Sequence, residues 1–450
     1  MKKLKKILPI VCVNLLVFVF LLELVSLLVY LVKTKRFFYT DTKRVVAMDK
    51  VESVKERQLT DKRVHPFFGY TYRAGAGHTD NDINETNETN KTNNYGFICP
   101  YDVPLQRENS AWYFIGIFGG SVADDFYRLG TQRLTERLKR HPFFADKDLI
   151  FLNFAMGGYK QPQPLQIMTY FLSIGQPLDM ALNIDGFNDL VFCFNNNRLG
   201  VDIGMPSAQH LLPLRDILDS GALTGEKLNA IWTIHQCKRR YFRMKDIQRH
   251  TPLASVYWMV AAVSSHLYRT YQTELARFDR LIDSPSGRDS ILNVKFTPAI
   301  RDESLLLSEV TAFWSRCSRM MNGLMTAGSK DGIENSNENS NGNLNKKRMY
   351  FHFLQPNQYF SAKPFSAEET RSALMNDSAY AFLVKKGYPS LIREIANLTQ
   401  NHVNAFDATG VFDTVRETIY IDNCCHFNEL GNRLLADYMA DGILKTMMKR

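Results

Sequence analysis

The sequence predicts an α/β protein built on a parallel sheet and tethered by one membrane-spanning helix. Three observations carry that expectation. Short apolar runs alternate with helical stretches between residues 112 and 193. The alternation returns from 348 to about 446, and a long apolar run, Ile7 to Val32, lies near the N-terminus. Strands that alternate with helices form parallel sheets covered on both faces, so each strand reads as a near-continuous apolar run.

The run ILPIVCVNLLVFVFLLELVSLLVYLV, residues 7–32, is 26 residues long. As a helix it spans about 39 Å, enough to cross a hydrocarbon core of about 30 Å. Asn14 and Glu23 interrupt it. A carboxylate in lipid costs roughly 2–3 kcal/mol, which the surrounding Leu, Val and Phe offset. A cleaved secretory signal is the competing reading, but its apolar region would be about 7–15 residues and end in small residues. This run is longer and no A-x-A site follows, so residues 1–36 read as a cytoplasmic tip and an uncleaved anchor. Lys2, Lys3, Lys5 and Lys6 precede the span and Lys33, Lys35 and Arg36 follow it, so the flanking charges nearly cancel. The expected orientation puts the N-terminus in the cytoplasm and the body outside, periplasmic or otherwise extracytoplasmic.

Residues 37–100 are expected to form a juxtamembrane stalk to about Arg63 and then an irregular loop. The loop holds HPFFGYTYRAGAG and NETNETNKTNN, whose sequons begin at Asn84, Asn87 and Asn90 and read as a solvated tip. Residues 101–193 start the core, with strands WYFIGIF (112–118), LIFLNFA (149–155) and MALNI (180–184) and helices at 122–140 and near 163–174. Residues 348–450 complete it with strands RMYFHFL (348–354) and VNAF (403–406) and a closing helix over 429–447. Between them, 194–347 reads as a helical insertion. The aromatic stripe of 251–283 is expected in a core, and the low-complexity stretch 329–347 is expected to be disordered.

Composition is that of a globular protein, 45% hydrophobic and 22% charged, which allows a large core. The net charge of +9 suits an anionic surface. No long basic stripe with interleaved aromatics is evident, so no nucleic-acid partner is expected. Of seven cysteines, Cys12 lies in the span and six in the body. No C-x-x-C pair occurs, and the adjacent Cys424 and Cys425 suit neither a tetrahedral metal site nor an ordinary mutual disulfide. Neither metal nor cofactor is predicted.

In an open parallel sheet, ligands bind beyond the carboxyl ends of the strands. Four such ends carry suitable residues. IFGGSVADDF places Ser121 after a strand and at a helix start, where free N–H groups face any developing anion. A serine there attacks a carbonyl if a base removes its proton, although serine before a helix is also a common N-cap. NFAMGGYKQ offers the backbone N–H of Gly158 and NIDGFNDL the side-chain amide of Asn188, both potential oxyanion donors or simple turn residues. YIDNCCHFNELGN brings Asp422 and His426 into one loop, a base suited to neutral pH beside an acid able to orient it.

Those four blocks, in that order, resemble the SGNH/GDSL hydrolase family, named for Ser, Gly, Asn and His in separated blocks. The matching positions are Ser121, Gly158, Asn188 and His426, and the resemblance covers residues 112–193 and about 348–446. It implies a three-layer α/β/α, flavodoxin-like fold and acyl transfer through an acyl-serine. Ser121, Gly158 and Asn188 would form the oxyanion hole. Two features depart from the pattern. Gly119-Gly120-Ser121 replaces the usual G-D-S, and the acid, usually three residues before the histidine, falls on Asn423. Asp422, four residues before, is the favoured acid, with Asn423 as the alternative. The resemblance further implies an esterase or O-acyltransferase acting on acyl, expected acetyl, esters of cell-surface or exported carbohydrate. A lipid-directed esterase or lysophospholipase and a non-catalytic glycan-binding scaffold are the alternatives. Since both catalytic loops should meet at one sheet face, a disulfide from Cys193 to Cys424 or Cys425 is also expected.

Overall fold

The computed structural model describes residues 2–40, 62–75, 91–211, 225–282, 294–327, 348–375 and 378–448. The chain divides into two units, Met1–Arg57 with Arg215–Ile291, and Gln58–Leu214 with Leu292–Arg450. The sequon asparagines Asn84, Asn87 and Asn90 and the low-complexity stretch 329–347 lie outside the described residues.

Three helices make up the described part of the first unit: α1 (Lys2–Thr34), α7 (Gly225–His250) and α8 (Ala254–Ile282), numbered in chain order. From Val13 to Thr34, α1 has a mean hydropathy of 2.9 and is long and apolar enough to cross a membrane. Helices α7 and α8 pack on each other, and α8 meets α1. Part of the aromatic stripe of 251–283 is spent on that second contact, where Tyr257 and Trp258 pack against Tyr30 and Phe38.

The second unit opens with an antiparallel hairpin, β1 (Lys62–His65) and β2 (Gly69–Tyr72). The loop expected from residue 64 thus contains strand and core residues, while the stalk expected up to about Arg63 lies mostly outside the described residues. Phe68, Tyr70, Tyr72, Phe97 and Ile98 are buried in the same core as the sheet. Two four-residue strands around a Pro and a Gly look like a turn-rich loop in sequence, and only the alternation of Tyr70 and Tyr72 marks the strand.

The sheet is built from β3 (Trp112–Gly119), β4 (Asp148–Asn153), β5 (Met180–Asp185), β6 (Met349–Leu354) and β7 (Asn404–Asp407). Their spatial order is β4-β3-β5-β6-β7 and every neighbouring pair is parallel. The unit is therefore of the α/β class. All six residues of β5 and of β6 are buried, which a parallel strand requires when helices cover both of its faces. One helix set is α2 (Ser121–Leu129), α3 (Thr131–Leu138) and α12 (Glu429–Met448), which pack together and on β3. The other is α5 (Gln163–Ser173), α6 (Phe187–Arg198), α9 (Glu303–Ala327) and α11 (Ala379–Gln400). Two short helices, α4 (Pro142–Ala145) and α10 (Ala367–Ser372), complete the unit.

Helix α9 modifies the expected insertion. It packs on β6, and its fully buried Trp314 donates to Asp185 at the end of β5. Residues 194–211 and 294–327 thus belong to the body, whereas α7 and α8 belong with α1. Its alternation of buried Leu306, Val310, Trp314 and Met321 is an amphipathic helix pattern, which carries no sequence label saying which sheet it covers.

Candidate active site

The chain leaves β3 outward to β4 and then returns to β5 on the other side, so the sheet reverses direction beside β3. Crevices at such switch points are where ligands bind in open α/β sheets. Ser121 follows β3 there as the first residue of α2. Its two preceding glycines have separate reasons. Gly119 has φ +139°, and a Cβ on it would lie 2.0 Å from the carbonyl oxygen of Ile184. A Cβ on Gly120 would lie 2.2 Å from Nδ2 of Asn188. The G-G-S block is thereby fitted to β5 and to the residue that follows it.

His426 bridges the other two members. Its Nε2 is 2.6 Å from Ser121 Oγ and its Nδ1 is 2.6 Å from Asp422 Oδ2. Asn423, the alternative acid, points its amide at the Met375 sulfur instead. The extra residue in the loop is absorbed by Asp422 itself, whose Oδ1 accepts from the backbone N–H groups of Cys424, Cys425 and His426. The carbonyls of the same loop are also taken. Gln358 donates to Asp422 O, Tyr359 to Asn423 O and Asn357 to Cys424 O, all at 3.0–3.1 Å. Upstream, the buried Glu369–Lys363 pair receives the N–H groups of Ile419 and Tyr420 on Glu369 Oε1. Most backbone polar groups of the loop are therefore assigned, which helps fix Asp422 and His426 in place.

Charge and burial act against each other in this pair. Burial is the largest influence on His426 and favours the neutral ring, but the charge and hydrogen bond of Asp422 together exceed it and hold the pKa up to about 10. Burial would likewise raise Asp422, and the imidazolium with the loop N–H groups brings it down to about 2. The carboxylate is ionised at neutral pH, and it strengthens the basicity of the ring.

Three potential donors lie on the segments around Ser121, where a Cβ on Gly120 would meet both the Asn188 amide and the Tyr159 carbonyl. The N–H of Ser121 lies in the first turn of α2, where N–H groups have no intrahelical acceptor. Asn188 sits at the start of α6 and donates through Nδ2 to Tyr159 O at 2.8 Å, which leaves its second amide hydrogen unassigned. Gly158, next to Tyr159, has φ +87°, and a Cβ on it would lie 2.5 Å from the His210 ring. Its N–H makes no hydrogen bond to the described residues.

Several residues here escaped the sequence reading. Lys62 Nζ and the Tyr70 hydroxyl both donate to the Gly157 carbonyl, at 3.2 and 3.3 Å. Burial pushes the Lys62 ammonium down to about 7, partly opposed by Asp124. Asp189 accepts from the Gln161 N–H at 2.7 Å and the Gly186 N–H at 3.3 Å, tying the Asn188 block to the Gly158 block. Burial and the nearby Asp185 raise its carboxyl to about 7. Beneath it, the fully buried Asp185 accepts from Trp314 at 2.7 Å and pairs with His352 Nε2 at 2.7 Å, while His352 Nδ1 meets Ser318 Oγ at 2.8 Å. Ser318, His352 and Asp185 have the residue types of a triad but no solvent access, so they act as a structural network. Asp189 stood in the quoted N-D-L block, whereas Tyr70 closed only an unusual H-P-F-F-G-Y string and Lys62 carried no signal.

The expected disulfide is corrected. Cys193, Cys424 and Cys425 form no disulfide; Cys193 Sγ is directed at Ile203 O, and Cys424 and Cys425 Sγ are 3.7 Å apart. Donor atoms of Cys424, Cys425 and His426 lie within 4.8 Å of one another, a possible metal set. Both His426 nitrogens are already engaged, by Asp422 and Ser121, so an ion there would displace one of them. An open apolar groove lined by Phe67, Leu165, Tyr170, Met320 and Leu324 includes none of the triad residues. No family model matches the chain, and no curated protein matches it.

Proposed function

We propose that this chain is a serine-dependent esterase or O-acyltransferase of the SGNH type that works through an acyl-serine intermediate. The observation that carries the reading is the unbroken chain Ser121 Oγ–His426 Nε2 and His426 Nδ1–Asp422 Oδ2, with both contacts at 2.6 Å. The strand order, outer strand, first strand and then three successive strands, supports a flavodoxin-like reading of the α/β unit.

In the first half-reaction Ser121 Oγ forms a bond to the acyl carbon while His426 Nε2 takes its proton. Asp422 keeps the proton of Nδ1 in place and offsets the positive charge on the ring. The negative charge on the former carbonyl oxygen is met by the N–H of Ser121, the N–H of Gly158 and the amide of Asn188. His426 then returns the proton to the leaving alcohol as the C–O bond breaks. Water or a second alcohol repeats the sequence in reverse, which distinguishes hydrolysis from transfer.

The proposed substrates are acyl esters, chiefly acetyl esters, of cell-surface or exported carbohydrate, with α1 holding the body at a membrane on its extracytoplasmic side. Intact-mass analysis of the full chain after mixing with an acetylated oligosaccharide or a lysophospholipid tests this. An acetyl adduct on the Ser121 peptide with the sugar ester is the expected result. An adduct only from the lysophospholipid would move the assignment to lipid, and no adduct from any ester would remove it.

A further inference from the structure

Glu23 is the costly residue of the apolar run, and the structure gives it partners. Its Oε1 accepts from the Ala254 N–H at 2.6 Å, and its Oε2 from the Ser255 N–H and hydroxyl at 2.9 and 2.6 Å. Those groups form the N-terminus of α8, so the carboxylate satisfies exposed N–H donors and meets the positive end of the helix dipole. One turn on, Trp258 Nε1 donates to Ser26 O at 3.2 Å, and Lys33 lies 4.9 Å above the Trp258 ring. Tyr30, Phe38 and Ala254 are buried by this contact.

The docking level divides α1 in two. From Ile7 to Leu22, ahead of the Glu23 contact, is 16 residues, about 24 Å of helix, which covers most of a hydrocarbon core of about 30 Å. Lys2 to Lys6 bound that segment at one end and the Glu23–α8 contact at the other. Beyond it Tyr30, Phe38, Tyr257 and Trp258 pack together, with Phe37 and Tyr39 beside them, in the manner of an interfacial aromatic belt. The turn from α7 to α8, His250 to Ala254, is then at headgroup depth and not in the hydrocarbon.

Helix α7 leads into that turn with seven Lys or Arg against two acids. The sequence reading passed over this stretch because its basic residues are spread around the helix. Arg240, Arg243, Lys245 and Arg249 fall within the last 11 residues, about 17 Å along the axis, a range over which a charged surface is felt at moderate salt. Arg239, Arg240 and Arg243 have no acidic partner among the described residues. Trp232, Arg239, Arg243 and Ile247 share one helix face at spacings of seven and four, and Trp232, Phe242, Ile247 and Leu253 are exposed. Basic and large apolar side chains mixed on one exposed face are the composition of helices that lie at lipid headgroups.

We propose that the α7–α8 hairpin is a second membrane contact, which binds anionic lipid headgroups through the basic side chains of α7 and is held at that depth by Glu23. The proposal rests on the membrane reading of α1. It is tested by hydrogen–deuterium exchange of the full chain in nanodiscs, either zwitterionic or with about 30% anionic lipid. Amides of residues 239–256 should exchange roughly tenfold more slowly in the anionic discs, a protection removed by about 0.5 M salt and by Arg239→Gln/Arg240→Gln/Arg243→Gln. Glu23→Gln should speed exchange at 253–256 in both disc types. Equal exchange in the two lipids overturns the proposal, as does protection that survives both salt and the triple substitution, which would mean a protein covering. Exchange across residues 7–26 reports separately whether α1 is inserted, so failure of the anchor is read apart from failure of the hairpin.

Discussion

Lys62 Nζ donates to the Gly157 carbonyl at 3.2 Å, from a strand that precedes the candidate nucleophile Ser121 by some sixty positions in the chain. The Gly157 C=O and the Gly158 N–H belong to one planar trans peptide, so they point in opposite directions. Holding the carbonyl toward Lys62 and Tyr70 therefore turns the Gly158 N–H the other way, which in the proposed mechanism is toward the oxyanion. Lys62 is a positioning residue in this account.

Lys62→Met should lower kcat roughly 10- to 100-fold, below the loss seen when an oxyanion donor is removed outright. KM should change little, because the peptide matters most when charge develops on the oxygen. Thermal unfolding should be unchanged or higher, since a desolvated amine is replaced by an apolar chain of similar length. Steady-state kinetics beside a melting curve check this; a fall in both kcat and melting temperature would assign Lys62 a merely structural role.

Asp422→Asn should reduce kcat by roughly 10²–10⁴-fold with KM nearly constant, the pattern of a lost histidine-orienting carboxylate. Asn423→Asp should leave kcat within a few-fold, because Asn423 faces Met375 and not the ring. The opposite ranking in the two variants would transfer the acid role to position 423.

The pH profile follows from the same pair. A histidine acts as base only when unprotonated, and Asp422 raises its pKa from 6.5 to about 10. The activity should thus climb with pH across an acid limb lying well above 6.5. In Asp422→Asn the opposing charge is gone and burial dominates, so the limb should move to lower pH while the plateau drops. Profiles of kcat/KM against pH for both proteins decide it, and an unmoved limb would contradict the assigned pair.

His352→Phe should destabilise the second unit by roughly 2–3 kcal/mol, because it leaves the buried Asp185 carboxylate without the 2.7 Å hydrogen bond from His352. Ser318→Ala removes only a hydrogen bond to His352 and should cost about 1 kcal/mol. Urea unfolding measures both, and similar small losses would mean that Trp314, Asn183 and Gln161 suffice for Asp185.

The strands and site blocks were legible in sequence because each obeys a local rule. WYFIGIFGGS is an apolar run ending in glycines, and Ser121 opens the following helix as such a junction demands. The acid at 422 was legible as a candidate, whereas its choice over Asn423 depended on three loop N–H groups closing on one oxygen. Lys62, Tyr70 and the Gln358 and Tyr359 bonds to the histidine loop were not legible, because they join segments from 64 to 95 residues apart through backbone carbonyls. A carbonyl leaves no trace in side-chain identity. The split of residues 194–347 between the two units was hidden for a related reason, since helical periodicity reports that a face is buried and not which partner buries it.

The most direct test of the central claim is turnover of a small acetyl ester by the full chain and by Ser121→Ala. The account predicts that the variant loses at least about 10³-fold in kcat/KM, given how completely acyl-serine chemistry depends on its nucleophile. Equal turnover by the two proteins would contradict it.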